Sequence, residues 1–429
     1  MTPESDITPD MCNKNKPHEL SRRRLLVLTS TFPRYKDDHE PSFVYELCRR
    51  FARSQDVTVL APHASNALSQ EVIDGVNVRR FRYAPSRLET LAYRGGIVAN
   101  LKQNPFRFIL VPFFIVSQFF ALCKIVRQDS IDVIHAHWLI PQGVVALLCR
   151  IITNKSFQIV CTSHGGDLYG LQGGFARWLK RKVIHNADAI TVVSEAMHVE
   201  AMKIAGTELK HIQVISMGVD ASTIFTPGNV KRNENELLFV GRLVEKKGVD
   251  FLLAAMPLIL KKYPNTILTI VGNGPEKVHL VQQVQQIGID NQVRFLGALV
   301  QSELPDLYRR ATIFVAPSVV AKSGDQEGLG LVFAEALACE CAVISSDLAA
   351  IADVIIDGQT GITTKQKDST DLANKIISLI GNKELRQTIG HNGRKHVLAR
   401  FDWEIIANRY EQLLDDLSPR QETMKRNFT

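Results

Sequence analysis

Residues 236–248 read ELLFVGRLVEKKG, an apolar run that ends in a glycine and is followed by a loop rich in cations. The apolar run predicts a short buried strand over 236–241, and the residues after the loop predict a helix over 250–261. Arg242 and Lys247 therefore lie beyond the carboxyl end of a strand, where open α/β sheets bind ligands. An arginine fork and a lysine point charge at this place could hold a diphosphate, although lysine-rich loops are more often solvated.

Alternation of strands and helices extends over most of the chain and indicates an α/β fold with two doubly wound parallel sheets. A chain of 429 residues is also too long for one core. We expect a first unit over 21–225 and a second over 226–400, facing each other across a cleft. Strands are predicted at 25–29, 57–60, 76–83, 131–137, 157–162, 189–194, 212–215, 236–241, 266–271, 293–296, 312–316 and 342–345.

The sequence also predicts the structure of the two ends of the chain and of one further strand. Residues 1–20 are polar and are expected to be disordered, and 419–429 form a loose charged end. Between the second unit and that end, Asp402 is a plausible N-cap of a helix over 401–418 that we expect to return to the first unit. The alternating segment 76–83 predicts an edge strand or a hairpin.

Positive charge is concentrated in the first half of the chain. Residues 1–220 hold 27 Lys and Arg against 20 Asp and Glu, whereas the remaining residues hold 24 of each, so the net charge of +7 belongs to the first half. This asymmetry suggests an acidic partner, such as a membrane surface, a phospholipid acceptor or nucleic acid. Solvated basic side chains scattered over the surface would give the same count.

Cysteine usage and the N-terminal residues indicate the compartment. The seven cysteines are scattered and contain no Cys-x-x-Cys pair, which is typical of a reducing compartment and argues against a disulfide framework or a structural zinc site. The N-terminus is polar and lacks the apolar core of a signal peptide. We therefore expect a cytoplasmic protein.

The segment 108–123 reads FILVPFFIVSQFFALC and lies between Arg107 and Lys124. It is shorter than the ~20 residues that a membrane-spanning helix needs, and it contains Pro, Ser and Gln. A buried helix is the favoured interpretation, a helix lying at the membrane interface is the second, and a true span is the third. The sequence leaves all three open.

Residues 327–335 read EGLGLVFAE, so that two glutamates flank a Gly-x-Gly turn. The apolar run predicts a helix that carries Glu335, and free backbone N–H groups at its start would attract an anion. The segment thus offers a phosphate cradle between carboxylates that suit sugar hydroxyls, the alternative being a surface helix with solvated glutamates. If Glu327 were on the same helix, the two backbones would lie about 12 Å apart, too far for the carboxyl pair of a glycosidase.

Metal binding is not expected from the candidate ligands. His135 and His137 lie two apart on a predicted strand and face the same side, but no third ligand is evident, so we favour hydrogen bonding to the cleft loops. Asp325 is the single acid just before the glutamate motif, where a magnesium site would usually show an Asp-x-Asp pair. Arg242 and Lys247 would take over the charge-neutralising role of a metal.

Several of these motifs resemble the retaining glycosyltransferase family 4, over nearly the whole chain. The matching segments are 241–243 (GRL) with 247–248 (KG), 271–275 (VGNGP), 295–297 (FLG), 317–318 (PS), the Glu327 and Glu335 pair, 135–138 (HAHW), 163–165 (SHG) and 217–220 (MGVD). The resemblance implies the GT-B architecture of two Rossmann-like domains. The chain departs from the family at 33–38, where many relatives have a glycine-rich loop, and at 216–218, where Pro-Asn-Gly is common.

The resemblance also implies a role for each matching residue. Arg242 and Lys247 would bind the donor diphosphate and stabilise the leaving group. His164 would face the sugar from the first domain, Glu327 would contact the sugar hydroxyls, and Glu335 would hold the nucleotide ribose. The implied donor-binding residues are Gly241, Gly272, Gly274, Gly328, Leu329, Gly330, Leu331 and Glu335. Neither a metal nor a cofactor is implied.

The implied activity is retaining, metal-independent transfer of a hexose or related sugar from a nucleotide-diphosphate donor to an acceptor hydroxyl. The basic first half and the Phe-rich segment 106–127 suggest a lipid-linked or saccharide acceptor in exopolysaccharide, lipopolysaccharide or glycolipid synthesis. They also suggest a cytoplasmic protein that can lie on the anionic inner face of a membrane. No nucleic-acid partner is expected.

Three other functions are weighed against transfer. A nucleotide-sugar epimerase on the same architecture would share the cleft but rely on acid and base residues. A dinucleotide-dependent oxidoreductase is disfavoured, because Gly272 and Gly274 are followed by Lys277 where its fingerprint has a third glycine. A non-catalytic sugar-binding protein would not need cations to clamp a diphosphate.

Overall fold

The structure, a computed structural model, describes residues 22–35, 38, 42–93 and 95–417. The disordered tail and the loose charged end expected from the sequence both lie outside these residues. Within them the chain forms two parallel sheets with helices between successive strands. The expected fold class, two doubly wound Rossmann-like units, is confirmed.

The first sheet has eight strands in the order β3-β4-β2-β1-β5-β6-β7-β8. They span Arg24–Leu28 (β1), Asp56–Pro62 (β2), Gln70–Ile73 (β3), Val76–Phe81 (β4), Val133–His137 (β5), Gln158–Ser163 (β6), Ala189–Val192 (β7) and Ile212–Val214 (β8). All pairs are parallel except β3 with β4. The hairpin predicted around 76–83 is therefore present, but β3 and not β4 is the edge strand.

The described residues of the first unit form seven α-helices between these strands. They span Phe43–Phe51 (α1), Ile97–Gln103 (α2), Leu110–Gln128 (α3), Val144–Thr153 (α4), Gly166–Tyr169 (α5), Gly174–Asn186 (α6) and Glu195–Ala205 (α7). Strand β1 lies near the middle of the sheet, and four of its five residues, Leu25–Leu28, are fully buried. A central parallel strand is covered on both faces, which is why it appears in the sequence as an unbroken apolar run.

The second sheet has six parallel strands in the order β11-β10-β9-β12-β13-β14. Counted from β9 this is 3-2-1-4-5-6, the common order of dinucleotide-binding sheets. The strands span Asn233–Val240 (β9), Ile267–Val271 (β10), Val293–Gly297 (β11), Ala311–Ala316 (β12), Ala342–Ser346 (β13) and Ile362–Thr364 (β14). The helices span Val249–Lys262 (α8), Lys277–Ile287 (α9), Leu304–Arg310 (α10), Leu331–Ala338 (α11), Ser369–Gly381 (α12) and Lys383–Arg400 (α13).

The last described helix, Trp403–Asp416 (α14), packs against the first unit although it follows the second in sequence. Asp402 caps it by accepting a hydrogen bond from the Glu404 backbone N–H at 3.0 Å. The ring of Tyr410 meets that of Phe51 edge-on at 6.2 Å, and its hydroxyl lies 3.3 Å from the hydroxyl of Thr191. Helix α14 therefore ties the end of the chain to the first sheet.

Helix α3 covers the apolar segment whose position the sequence left open. Its inner face is buried and includes Phe114 and Leu122, whereas Phe113 and Phe120 expose 57% and 66% of their surface. The interpretation as a fully buried helix is therefore wrong, because one apolar face is left uncovered. By length and composition alone, the stretch Pro105–Gln128 could cross a membrane, and 33% of its 18-residue apolar window is buried.

Candidate active site

The loop after β9 carries two of the expected cations at the carboxyl edge of the second sheet. It is bonded to the loop after β10, since the backbone N–H of Gly241 donates to Val271 and that of Leu243 to Asn273, both at 3.0 Å. The guanidinium of Arg242 reaches the first unit and donates to the Gly95 carbonyl at 2.5 Å. Arg242 thus stands between the two units.

Close contact between these two loops explains the glycines after β10. A Cβ at Gly272 would overlap the carbonyl oxygen of Gly241, and a Cβ at Gly274 would overlap that of Leu243. Gly272 also has φ +135°, a backbone conformation that side chains with a Cβ rarely adopt. Gly272 and Gly274 therefore allow their loop to pack directly against the backbone of Gly241 and Leu243, beside Arg242.

Lys247 forms an ion pair with Glu327. It ends a one-turn 3₁₀ helix, Glu245–Lys247, and its Nζ lies 2.6 Å from Glu327 Oε2, with both side chains mostly buried. Burial alone would raise the pKa of Glu327, but Lys247, Lys246 and hydrogen bonds from Lys247 and the Gly328 backbone together lower it to about 2. The carboxylate is therefore ionised and already paired with a cation.

Glu335 occupies a different electrostatic environment on α11. Its Oε2 accepts a hydrogen bond of 2.8 Å from the hydroxyl of Tyr308 on α10. Burial raises the pKa of Glu335 to about 7, against the opposing effects of the Tyr308 hydrogen bond and of the Lys247 charge. The two glutamates of the motif therefore differ in charge near neutral pH, and only Glu327 is fully ionised.

Tyr308 is a site residue that the sequence did not reveal. Its side chain is fully buried, and its ring meets those of Phe225 and Phe314 edge-on at 6.0 and 5.5 Å. It lies 27 residues before Glu335, on another helix, and no motif or spacing connects the two. The packing of α10 against α11 creates the contact.

The glycine turn before α11 meets the first unit directly. Space for a side chain is lacking on both sides, since a Cβ at Gly328 would lie 2.8 Å from the His164 carbonyl oxygen and one at Gly165 would lie 3.1 Å from the Gly328 Cα. Leu329 is buried, Gly330 precedes the helix with φ +80°, and Leu331 is its first residue. The start of α11 therefore faces the loop after β6.

The side chain of His164 lies in a cluster of rings. Its Nε2 is 2.9 Å from Nδ1 of His137, with the two rings stacked, and it contacts Phe43 and Trp138 at centroid distances of 4.7 and 5.1 Å. Burial, with a smaller effect of His135, lowers the pKa of His164 to about 3. The imidazole is therefore neutral, and its backbone carbonyl is the group nearest to the glycine turn.

The histidines of β5 hydrogen-bond within the protein, but only His137 contacts a cleft loop, through His164, whereas His135 bonds to a residue of β6. His135 Nε2 lies 2.7 Å from the Thr162 hydroxyl, and burial lowers the pKa values of both His135 and His137. Throughout 22–35, 38, 42–93 and 95–417, no three His, Cys, Asp or Glu side chains come together in a way that could hold a metal ion.

The loop after β1 is described only in part. Asp38 accepts hydrogen bonds from the backbone and guanidinium of Arg34, whose guanidinium also lies 5.1 Å from the ring centre of Tyr93. Residues 36, 37 and 39–41 lie outside the described residues, so its expected closure over the diphosphate or acceptor stays a prediction. The roles assigned to the other site residues also stay predictions, although the structure gathers them at facing sheet edges.

Two family models match the chain and together cover most of it. The model described as Glycosyltransferase Family 4 matches residues 42–223, and the model described as Glycosyl transferases group 1 matches residues 220–396. The border between the two matches falls within the segment that joins the two units.

Relatives and solved structures agree with these matches. Glycogen synthase of Mycobacterium tuberculosis is 30% identical over 291 residues, 66% of this chain and 68% of the relative. A GDP-mannose-dependent alpha-(1-6)-phosphatidylinositol monomannoside mannosyltransferase of Mycolicibacterium smegmatis is 27% identical over 301 residues, 68% of this chain and 78% of the relative.

The fold is shared with two solved structures. Sucrose-phosphate synthase of Thermosynechococcus elongatus superposes with a TM-score of 0.74 at 23% identity, covering 92% of this chain and 99% of that one. HepE of Anabaena, in complex with UDP and glucose, gives 0.70 at 18% identity, covering 92% and 100%. From its motifs, its two facing sheets and these matches, the chain belongs to the family 4 glycosyltransferases and has their GT-B architecture.

Proposed function

We propose that the protein is a retaining glycosyltransferase that moves a hexose or related sugar from a nucleotide-diphosphate donor to an acceptor hydroxyl. The observation that carries this proposal is the ion pair of Lys247 and Glu327, which stands beside the glycine turn opposite His164. A cation for the phosphates and an ionised carboxylate for sugar hydroxyls are thus present at one place in the cleft.

Donor binding would rearrange this ion pair. Lys247 would turn from Glu327 to the diphosphate, and Glu327 would then be left to accept hydrogen bonds from the sugar hydroxyls. Arg242 would give the second cationic contact, through a planar fork that suits phosphate oxygens. Glu335, when ionised, would accept hydrogen bonds from the two ribose hydroxyls.

Transfer would then depend on stabilising the leaving group. As the bond from the anomeric carbon to the phosphate oxygen breaks, its electron pair leaves with the diphosphate, where Arg242 and Lys247 neutralise the charge. The acceptor oxygen forms the new bond on the same face of the sugar, and its proton passes to an oxygen of the departing phosphate. The neutral His164 would position the sugar without adding charge.

We propose that the two cations make a metal unnecessary. Arg242 and Lys247 already supply positive charge where the diphosphate would lie, which is the task that a divalent ion performs in other transferases. Activity should therefore persist in excess EDTA, and no cofactor beyond the donor is needed.

The proposed acceptor is lipid-linked or saccharide, in exopolysaccharide, lipopolysaccharide or glycolipid synthesis. Two relatives support this range, one named as a glycogen synthase and one as a phosphatidylinositol mannoside mannosyltransferase. HepE supports the donor class, since it was solved with UDP-glucose. We further propose a cytoplasmic protein lying on the inner face of the membrane, because α3 leaves an apolar face uncovered.

The test is a screen of nucleotide-sugars for thermal stabilisation, followed by turnover of the best donor. Nucleotide release should require an acceptor, and the NMR coupling constant of the product's anomeric proton should match that of the donor. An inverted anomeric configuration would refute retention, and a changed sugar with no acceptor consumed would favour the epimerase.

A further inference from the structure

Three neighbouring helices of the first unit leave apolar side chains uncovered on one side. We propose that α3, α4 and α6 together form a docking surface for an anionic lipid bilayer. The inference rests on the membrane location proposed above, which was drawn from α3 alone, and it assigns the partner and the surface.

The stripe on α3 and the turn before it is the largest part of this surface. Phe106, Phe108 and Ile109 expose 89%, 61% and 70% of their surface, and Phe113, Val116 and Phe120 follow along the helix. The spacing of three and four residues puts the last three on one face. The exposed Lys124 and Arg127 continue that face, so the apolar stripe ends in cations.

Helices α4 and α6 repeat this arrangement beside α3. Leu148, Ile151 and Ile152 are exposed on α4, and the exposed Lys155 follows them. On α6 the exposed rings of Phe175 and Trp178 stack at 5.9 Å, and the ammonium of Lys182 lies 5.9 Å from the Trp178 ring centre. Helix α4 packs against both α3 and α6, so the three stripes form one surface.

The charge of the chain follows this surface. Ranges 95–128, 139–155 and 170–187 contain ten Lys and Arg and no Asp or Glu. The rest of residues 1–220 holds 17 Lys and Arg against 20 Asp and Glu, so these ranges account for the whole positive excess of the first half. Some of these cations are engaged inside the protein, since Arg150 pairs with Asp188, Lys180 donates to backbone carbonyls and Arg107 donates to Asn100. The exposed ones, which include Lys124, Arg127, Lys155 and Arg181, favour an anionic partner.

The same features decide between possible occupants. A second copy of the chain would bring two positively charged rims together, which is unfavourable. A membrane span by α3 would pull Phe114 away from Phe81 and Tyr83, whose rings it meets edge-on at 5.1 Å. Large apolar side chains beside cations, on helices that keep their inner faces packed, suit a protein lying in the headgroup region of a bilayer.

The docking surface reaches the edge of the molecule that holds the active site. Helices α3 and α6 follow parallel strands, so each starts near the carboxyl edge of the sheet, where Phe106 and Phe175 lie. Gly95, which accepts the hydrogen bond of Arg242, is only eleven residues before Phe106. Docking through this surface would bring the cleft to the membrane, where a lipid-linked acceptor is found.

Vesicle co-sedimentation of the full chain tests the surface helix by helix. The variants are Phe113→Ser/Phe120→Ser on α3, Ile151→Ser/Ile152→Ser on α4 and Phe175→Ser/Trp178→Ser on α6. The matched control is Leu258→Ser/Val278→Ser, which removes exposed apolar side chains from the second unit. We expect each of the three variants to bind phosphatidylglycerol-containing vesicles at least about fivefold more weakly, and the control to bind as the wild type does.

A second variant tests the charge. Arg181→Glu/Lys182→Glu should weaken binding to phosphatidylglycerol-containing vesicles. We expect the wild type to bind pure phosphatidylcholine vesicles only weakly, and the variant should leave that binding unchanged. The proposal is overturned if the α4 and α6 variants bind like the wild type, or if wild-type binding is the same on both kinds of vesicle. It is also overturned if the wild type is a dimer in solution that the variants convert to monomers.

Donor binding separates this inference from the proposed function. The docking variants should keep the thermal shift that a nucleotide-sugar produces in the wild type, because their substitutions lie outside the donor site. If that shift is present but vesicles are not bound, the docking surface and the proposed membrane location are wrong and the proposed sugar transfer stands. If vesicles are bound but no nucleotide-sugar shifts the melting temperature, the proposed function fails and the surface stands.

Discussion

The hydroxyl of Tyr308 lies 2.8 Å from Oε2 of Glu335, so that a phenol buried in the core of the second unit positions a carboxylate of the proposed donor site. This hydrogen bond lowers the pKa of Glu335, which burial raises to about 7. The ionised fraction of Glu335 near neutral pH therefore depends on Tyr308.

Tyr308→Phe should weaken donor binding more than it slows the chemical step. Without the hydrogen bond the pKa of Glu335 rises, fewer carboxylates are ionised at pH 7, and we expect the donor KM to increase roughly five- to tenfold with kcat nearly unchanged. The donor KM measured from pH 6 to 9 checks this, since the defect should shrink as pH rises. Tyr83→Phe, at a buried tyrosine of the first unit, is the control; a fall in kcat alone would contradict the assigned role.

Glu335→Gln should stabilise the unliganded protein at high pH. The folded-state pKa of about 7 lies above the ordinary value of 4.5, so ionising Glu335 opposes folding above pH 7, and this cost disappears as pH falls towards 4.5. We expect the free energy of unfolding to rise by roughly 1–3 kcal/mol at pH 8 and to change little at pH 5. Urea unfolding at both pH values measures it, and a gain of equal size at both would show that the carboxyl is not perturbed.

Lys247→Ala should lower stability as well as activity, because it leaves the mostly buried carboxylate of Glu327 without its main partner. We expect a loss of roughly 2–4 kcal/mol in the free energy of unfolding at pH 7, reduced by the remaining charge of Lys246. Adding Glu327→Gln should restore most of the stability and none of the transfer. A double variant as unstable as Lys247→Ala would show that the ion pair is not what the lysine stabilises.

Gly272→Ala should disrupt the proposed donor side of the cleft, because its Cβ would overlap the Gly241 carbonyl oxygen. Gly288→Ala is a matched control, since Gly288 also has a positive φ, +75°, but a Cβ there would meet no atom within 4 Å. Both variants place an alanine at a positive φ, which costs about 1 kcal/mol or more. Only Gly272→Ala adds the overlap of the Cβ with a backbone oxygen. Melting temperature and donor affinity should fall clearly further for Gly272→Ala; equal losses would mean that the two loops can separate without cost.

Much of the fold could be predicted because central parallel strands are buried on both faces. The runs 25–28 and 237–240 are almost wholly apolar for that reason, and the structure buries both. The short strand β3 could not be found in this way, because Gln70–Ile73 lies at an edge with a half-exposed surface and depends on its pairing with β4.

The sequence predicts which residues form the candidate site better than it predicts the contacts between them. The motifs place Lys247 and Glu327 in the same cleft, but nothing in their spacing shows that the two side chains pair before any ligand arrives. Tyr308 was missed, since its contact with Glu335 arises from helix packing. The exposure of α3 was also hidden, because a helix with apolar residues on both faces shows no periodic polar stripe that would mark a solvent side.

The proposed transfer depends on Arg242 and Lys247 binding the donor diphosphate. Calorimetric titration with UDP and GDP, each compared with its monophosphate, tests this binding most directly. The wild type should bind one of the diphosphates at least about tenfold more tightly than the matching monophosphate, as two charge-assisted contacts imply. Arg242→Ala, and Lys247→Ala combined with Glu327→Gln, should each lose most of that preference while keeping affinity for the monophosphate. If both variants discriminate between diphosphate and monophosphate as well as the wild type does, the cations do not hold the donor and the account is wrong.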